Sequence, residues 1–122
     1  MVIFDTNVLI ELYRGNVAIK DEIQKMDSDV FYISNITVVE FIAGAKDKSD
    51  LEKIEKQLNK YISIPLNEGI DEIFINIMRT LTLSHRPQIP DALIAATAIY
   101  YNIPLFTLNK RHFQYMPNIQ LI

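Results

Sequence analysis

The chain contains no cysteine. Disulfides and thiolate metal sites are thereby excluded, and any bound metal must be held by oxygen or histidine. No apolar run approaches the ~20 residues that a bilayer-spanning helix needs. The N-terminus has no basic stretch ahead of its apolar residues, and Asp5 arrives too early for the apolar core of a signal peptide. Basic residues are not in surplus either. Twelve Lys and Arg against 15 Asp and Glu leave a net charge of −3, so nucleic acid would be drawn only to a local basic patch. Internal repeats, low-complexity tracts and linkers are missing as well. These absences point to a cytoplasmic protein with no membrane partner. At 122 residues, 49% hydrophobic and 22% charged, the expectation is one domain over residues 1–122.

What is there alternates between strand and helix. Val2-Ile3-Phe4 reads as a buried strand that breaks at Asp5-Thr6 into a helix ending near Arg14, with Gly15 as its stop. Asn16 caps a second helix with Ile19, Ile23 and Met26 along one side. Val30 to Ile33 is the next strand, and Ser34 or Asn35 caps a helix over about 36–45. Ser49 to Glu52 has the form of a capping box opening a helix with Leu51, Ile54 and Leu58 on one stripe. A third strand spans Tyr61 to Leu66, and the longest helix follows over about 68–83. Ser84-His85-Arg86-Pro87 breaks that helix, and Pro90-Asp91 opens an alanine-rich one that runs to about Tyr101. Leu105 to Thr107 is a short strand, and the tail Ile119 to Ile122 offers one more. Strands separated by helices, with no tight hairpin signal, predict an α/β fold: a mainly parallel sheet with helices on both faces.

Three acids interrupt the hydrophobic pattern. Asp5 stands at the carboxyl end of the first strand, where ligands gather in open parallel sheets, although an N-cap role explains it alone. Glu40 falls on the stripe of Ile36, Val39 and Ala43, which is expected to face the core, where an unpartnered carboxylate is costly; a place at the stripe's margin, reaching solvent, is the bland alternative. Asp91 lies just inside a helix of small residues that can pack closely, which would hold it deep in the molecule; helix-dipole placement is the bland alternative. Carboxylates brought together repel unless a cation joins them. Oxygen-only ligands suit Mg²⁺ or Mn²⁺, and such an ion can polarise a phosphoryl oxygen and activate water. The residues by themselves thus reach metal-dependent phosphoester hydrolysis.

At these residues the chain resembles the PIN-domain ribonucleases. Asp5 to Ile10 looks like their opening motif, Ser34 to Gly44 their second with its acid at Glu40, and Ile89 to Ala98 their third with Asp91. Leu105 to Phe113 is similar to the fourth. The motifs cover essentially the whole chain in order, and the length suits the compact VapC-type toxins of toxin–antitoxin pairs. The resemblance implies an α/β/α sandwich, an RNA substrate cleaved with Mg²⁺ or Mn²⁺ by a metal-activated water, homodimers, and a cognate antitoxin. Asp5 and Asp91 would be the main metal ligands, with Glu40 completing the acidic pocket directly or through water. Asn109 stands where many members have aspartate, which removes a charge and weakens the case for a second ion. Its amide still offers an oxygen ligand and donors.

Lys110 and Arg111 flank Asn109 and would hold RNA phosphates near the metal, or form an ordinary solvated loop pair. Thr6, Asn7 and Thr107 line the pocket or serve as caps and turns. His85 and His112 are not spaced as a metal pair, and nothing in the sequence marks a catalytic histidine. Val8, Leu9, Leu12 and Tyr13 fit a dimer or antitoxin surface and core packing equally well. Two alternatives stand beside the nuclease. One is a PIN-like module kept only for binding RNA or protein. The other is a haloacid-dehalogenase-type phosphatase, which requires a second aspartate where this chain has Asn7 and a lysine that cannot be placed.

Overall fold

The computed structural model describes residues 1–122. Its first strand, β1 (Val2–Phe4), sets up both layers of the molecule. Val2 and Phe4 join one hydrophobic cluster with Val8, Leu9, Ile33, Phe41 and Phe106, whereas Ile3 joins the other with Ile70, Ile77, Ile94 and Leu105. That division follows from the period-two alternation of a strand covered on both faces. Behind β1 come α1 (Thr6–Tyr13), α2 (Val17–Gln24), β2 (Phe31–Ser34), α3 (Asn35–Ala43) and α4 (Lys48–Leu58). The remainder is β3 (Ile62–Ile64), α5 (Glu68–His85), α6 (Ile89–Tyr101) and β4 (Leu105–Phe106), then a single 3-10 turn over Lys110–His112.

All four strands are parallel, in the order β3-β2-β1-β4. The chain steps outward from β1 to β2 and β3, then crosses back to place β4 on the other side of β1. Strand order therefore reverses between β1 and β4, and a crevice forms outside their carboxyl ends, where parallel sheets carry ligand sites. Residues 5 and 107, immediately after those two strands, face each other across it.

Helix ends follow side-chain chemistry. Asn16, Ser34 and Asn67 cap α2, α3 and α5 by accepting from Ile19, Ile36 and Ile70 N–H groups. Asp47, rather than the expected Ser49, caps α4 by accepting from Asp50 N at 2.7 Å. The box motif lies one turn inside the helix because Asp47, earlier in the chain, already meets the free N–H groups. Helix α5 continues past Leu83 to His85 and stops where Arg86 takes the left-handed conformation (φ 47°, ψ 59°). In α6, Ala92, Ala95, Ala96 and Ala98 are buried and let the helix close against α5.

The third strand is shorter than its apolar run, covering Ile62–Ile64 alone. Pro65 lacks the N–H that would extend the ladder. The tail adds one parallel bridge, Leu105 with Leu121, flanked by bonds from Leu105 N to Gln120 O and from Ile122 N to Leu105 O. Val8 and Leu9 are fully buried, with Leu12 and Tyr13 packed against the same cluster, so the first helix turns these residues to the core. No helix is long and apolar enough to cross a membrane.

Candidate active site

Asp5 is the floor of the crevice. Its backbone is held by a bond from its N–H to Phe106 O (2.9 Å), which ties the end of β1 to the end of β4. One carboxylate oxygen accepts from Thr6 N at 2.7 Å as the α1 cap, and the other accepts from Thr107 Oγ1 at 2.7 Å. Capping does not remove Asp5 from the crevice: it accepts from Thr6 N with Oδ1 and from Thr107 with Oδ2, and still lines the cavity. Thr107 Oγ1 in turn accepts from Asn109 N at 3.0 Å, and Asn7 Oδ1 accepts from Leu108 N at 3.3 Å, so the loop after β4 is pinned over Asp5.

Asp5 is only 5% exposed. Burial, the largest influence, pushes its pKa up from 3.8 to about 6. The Thr107 and Thr6 bonds pull it down, while the charges of Asp91 and Glu40 push it further up. Asp91 is also raised, first by burial, against the pull of His112 beside it.

The crevice is lined by Asp5, Thr6, Glu40, Asp91, Asn109 and His112. Four sequence-predicted site residues thus share one cavity, although they come from four different segments. Glu40 reaches it by a route other than the expected one. The inward residues of α3 are Thr37 and Phe41, while Val39 is 60% exposed and Ala43 is also exposed. Glu40 sits at the margin between these faces, half-buried, where its Oε1 accepts from Thr6 Oγ1 at 2.7 Å. Thr37 Oγ1 lies 3.1 Å from the same hydroxyl. Asp91 is likewise shallower than expected, with its side chain 16% exposed at the crevice wall.

His112 is the residue that sequence reading missed. Its Nδ1 is 3.2 Å from Asp91 Oδ2, and Asn109 Nδ2 is 3.1 Å from both ring nitrogens. A consistent assignment has Nδ1–H donating to Asp91 and Nε2 accepting from Asn109. The missed signal was its position three residues after Asn109, which the 3-10 turn brings back over the crevice. Lys110 and Arg111 do not line this cavity. Arg111 lines a neighbouring one.

The donor chemistry fits a hard divalent cation: carboxylate oxygens from Asp5, Glu40 and Asp91, an amide oxygen from Asn109, and no sulfur. Burial chiefly, and the charges of Asp91 and Glu40 to a smaller extent, push the Asp5 pKa up, and a cation beside it would favour the ionised carboxylate. No three acidic or imidazole groups form a ready-made cage; each of the three acids has its own hydrogen-bond partner.

A parallel α/β sandwich with an acidic crevice at its strand-order reversal is a recognisable class of protein. The PIN-domain family model matches residues 2–118, and the chain belongs to that family, among its VapC-type members. Ribonuclease VapC of Rickettsia bellii is 30% identical over 132 aligned residues, covering 99% of this chain and 94% of that protein. A toxin–antitoxin complex from Klebsiella pneumoniae contains a chain 28% identical, with a TM-score of 0.83 over 100% of this chain and 96% of that one. VapBC2 from Rickettsia felis, solved on a DNA fragment from its promoter, superposes with a TM-score of 0.88 at 21% identity, over 100% of this chain and 98% of that one.

Proposed function

We propose that this chain, acting as a single domain in the cytoplasm, is the ribonuclease toxin of a toxin–antitoxin pair and hydrolyses RNA phosphodiesters with Mg²⁺ or Mn²⁺. The observation that carries the reading is Asp5: buried, at the β1–β4 crevice, with its pKa raised by burial and by the charges of Asp91 and Glu40. Asp5 and Asp91 would hold the ion, with Glu40 binding it directly or through water and Asn109 offering an amide oxygen. Bound there, a divalent cation supplies Lewis-acid stabilisation of phosphoryl charge and a water acidic enough to attack at neutral pH.

The chain's own groups do the rest. Thr107 and Thr6 N–H keep the Asp5 carboxylate in one orientation, so its free lone pairs point to the same place throughout turnover. Thr6 does the same for Glu40. His112 holds Asp91 and stabilises its ionised form. Asn109, with a hydrogen bond on either side, can orient a phosphate oxygen or a water. An antitoxin partner is part of this reading, supported by the likeness to a chain of the Klebsiella pneumoniae toxin–antitoxin complex, and we include a homodimer in it as well.

The test is cleavage of a mixed cellular RNA preparation by purified protein with Mg²⁺, with Mn²⁺ and with EDTA, beside Asp5→Asn. Discrete fragments that require both metal and Asp5 are expected. Full cleavage by folded Asp5→Asn overturns the mechanism, and no cleavage by folded, antitoxin-free protein in either metal favours a module that only binds RNA.

A further inference from the structure

Adjoining the acidic crevice is a second cavity of ≈ 260 Å³, walled by His85, Arg86, Arg111 and Tyr115. Gln88, Asp91 and His112 line both cavities, so the two open side by side along one wall. The second sets two guanidinium groups against the one shared carboxylate of Asp91. Arg86 and Arg111 are both exposed, and neither is paired: the molecule's ion pairs are Arg14 with Glu11 and His112 with Asp91. Neither guanidinium makes a hydrogen bond within the chain. On a protein of net charge −3, two free guanidinium groups at one cavity are a local anion site.

Arg86 is held there against backbone preference. It terminates α5 with φ 47°, a conformation in which glycine is unstrained and a larger residue is not. Beside it, the rings of His85 and Tyr115 lie parallel, 8° apart in plane with centroids at 4.1 Å. Tyr115 is half-buried and His85 is exposed, and both line the cavity, so the stack presents aromatic surface there.

We propose that this cavity is a nucleotide subsite for single-stranded RNA. It takes the nucleotide next to the phosphodiester held over Asp5 and Asp91, stacking its base on His85 and pairing its phosphate with Arg86 and Arg111. A flat ring face together with a guanidinium pair matches a base and its phosphate. An acidic polypeptide would use the arginines but not the stack. Duplex RNA keeps its bases stacked internally and cannot offer one. This subsite deepens the ribonuclease reading and rests on it for the position of the scissile bond.

The experiment is binding of a fluorescein-labelled, mixed-sequence single-stranded RNA oligonucleotide in EDTA, across a range of salt, by wild type, Arg86→Gly, Arg86→Lys, Arg111→Ala and His85→Ala. Loss of either arginine should weaken binding about tenfold at low salt and flatten the log–log salt dependence by about 0.7 per phosphate contact. Arg86→Lys should recover most of that slope. His85→Ala should weaken binding about five- to a hundredfold with the slope unchanged, because stacking carries no charge. Melting of Arg86→Gly at or above the wild-type temperature shows that its lost affinity is not misfolding. Unchanged affinity in these folded variants overturns the subsite while leaving the nuclease intact. Lost affinity in variants of a protein that cleaves no RNA supports the subsite and removes the nuclease. Tighter binding of polyglutamate than of RNA, lost with the arginines and kept in His85→Ala, overturns the proposal in favour of an acidic protein partner.

Discussion

Asp5→Asn should make the metal-free protein more stable at neutral pH. The fold raises the Asp5 pKa from 3.8 to about 6, so it favours the neutral carboxyl. At about 1.4 kcal/mol per tenfold in the acid constant, ionising Asp5 in the folded state costs about 3 kcal/mol. Because the folded value is the higher one, this stability is fully present below pH 3.8 and is lost as pH rises through about 6. Asparagine cannot ionise and so avoids the loss. It also cannot accept from both Thr6 N and the Thr107 hydroxyl, since one of its two terminal atoms is a donor. One bond exchanged at about 1 kcal/mol leaves a net gain of about 2 kcal/mol. With an unfolding entropy of about 2.1 cal/mol/K per residue, that gain is about 8 °C in Tm.

The assay is thermal unfolding of both proteins in EDTA from pH 4 to pH 8. The variant's advantage should be absent or reversed at pH 4, grow between about pH 4 and pH 6, and level off above that, following Asp5's ionisation. Taking the difference between the two proteins cancels the titration of groups that do not interact with Asp5, leaving Asp5 and its coupling to Asp91 and Glu40. Excess Mn²⁺ at neutral pH should then raise the wild-type Tm and barely move the variant, closing the gap. An advantage independent of pH, or a variant less stable at pH 7, would refute the burial argument. Equal stabilisation of both proteins by Mn²⁺ would refute Asp5 as a ligand.

Asn109→Asp places a fourth carboxylate in the crevice, so calorimetry should show tighter Mn²⁺ binding while the metal-free protein melts lower. His112→Ala removes the group that pulls Asp91's pKa down, so the pH midpoint of Mn²⁺ binding should move upward; a midpoint that stays put or falls would count against the His112–Asp91 coupling. Ile94→Ala, at 0% exposure between α6 and the sheet, should cost roughly 2–5 kcal/mol in denaturant unfolding without altering Mn²⁺ affinity.

Periodicity and punctuation made most of the elements legible. The run Val2-Ile3-Phe4 followed by Asp5-Thr6 announced a strand turning into a capped helix, and that local grammar alone put Asp5 at a strand's carboxyl end. The alanines of α6 likewise announced a close-packed helix with Asp91 in its first turn. Helix α3 was harder. Its sequence, Asn35-Ile36-Thr37-Val38-Val39-Glu40-Phe41-Ile42-Ala43, is apolar nearly all round, so its period fits more than one inward face. The neighbours α1, α4 and α6 decide, turning Thr37 and Phe41 inward and leaving Val39 in solvent.

The sequence by itself determined the parallel α/β class, the strand-end position of Asp5 and the absence of thiolate ligands from any metal site, because each follows from short-range pattern or from composition. The tertiary structure alone decided that β4 returns beside β1. No local signal encodes strand order, since it depends on which crossovers bury the most apolar surface together. That one placement brings Thr107 onto Asp5 across 102 positions of chain, His112 onto Asp91, and the cavity of Arg86 and Arg111 to the edge of the acidic crevice.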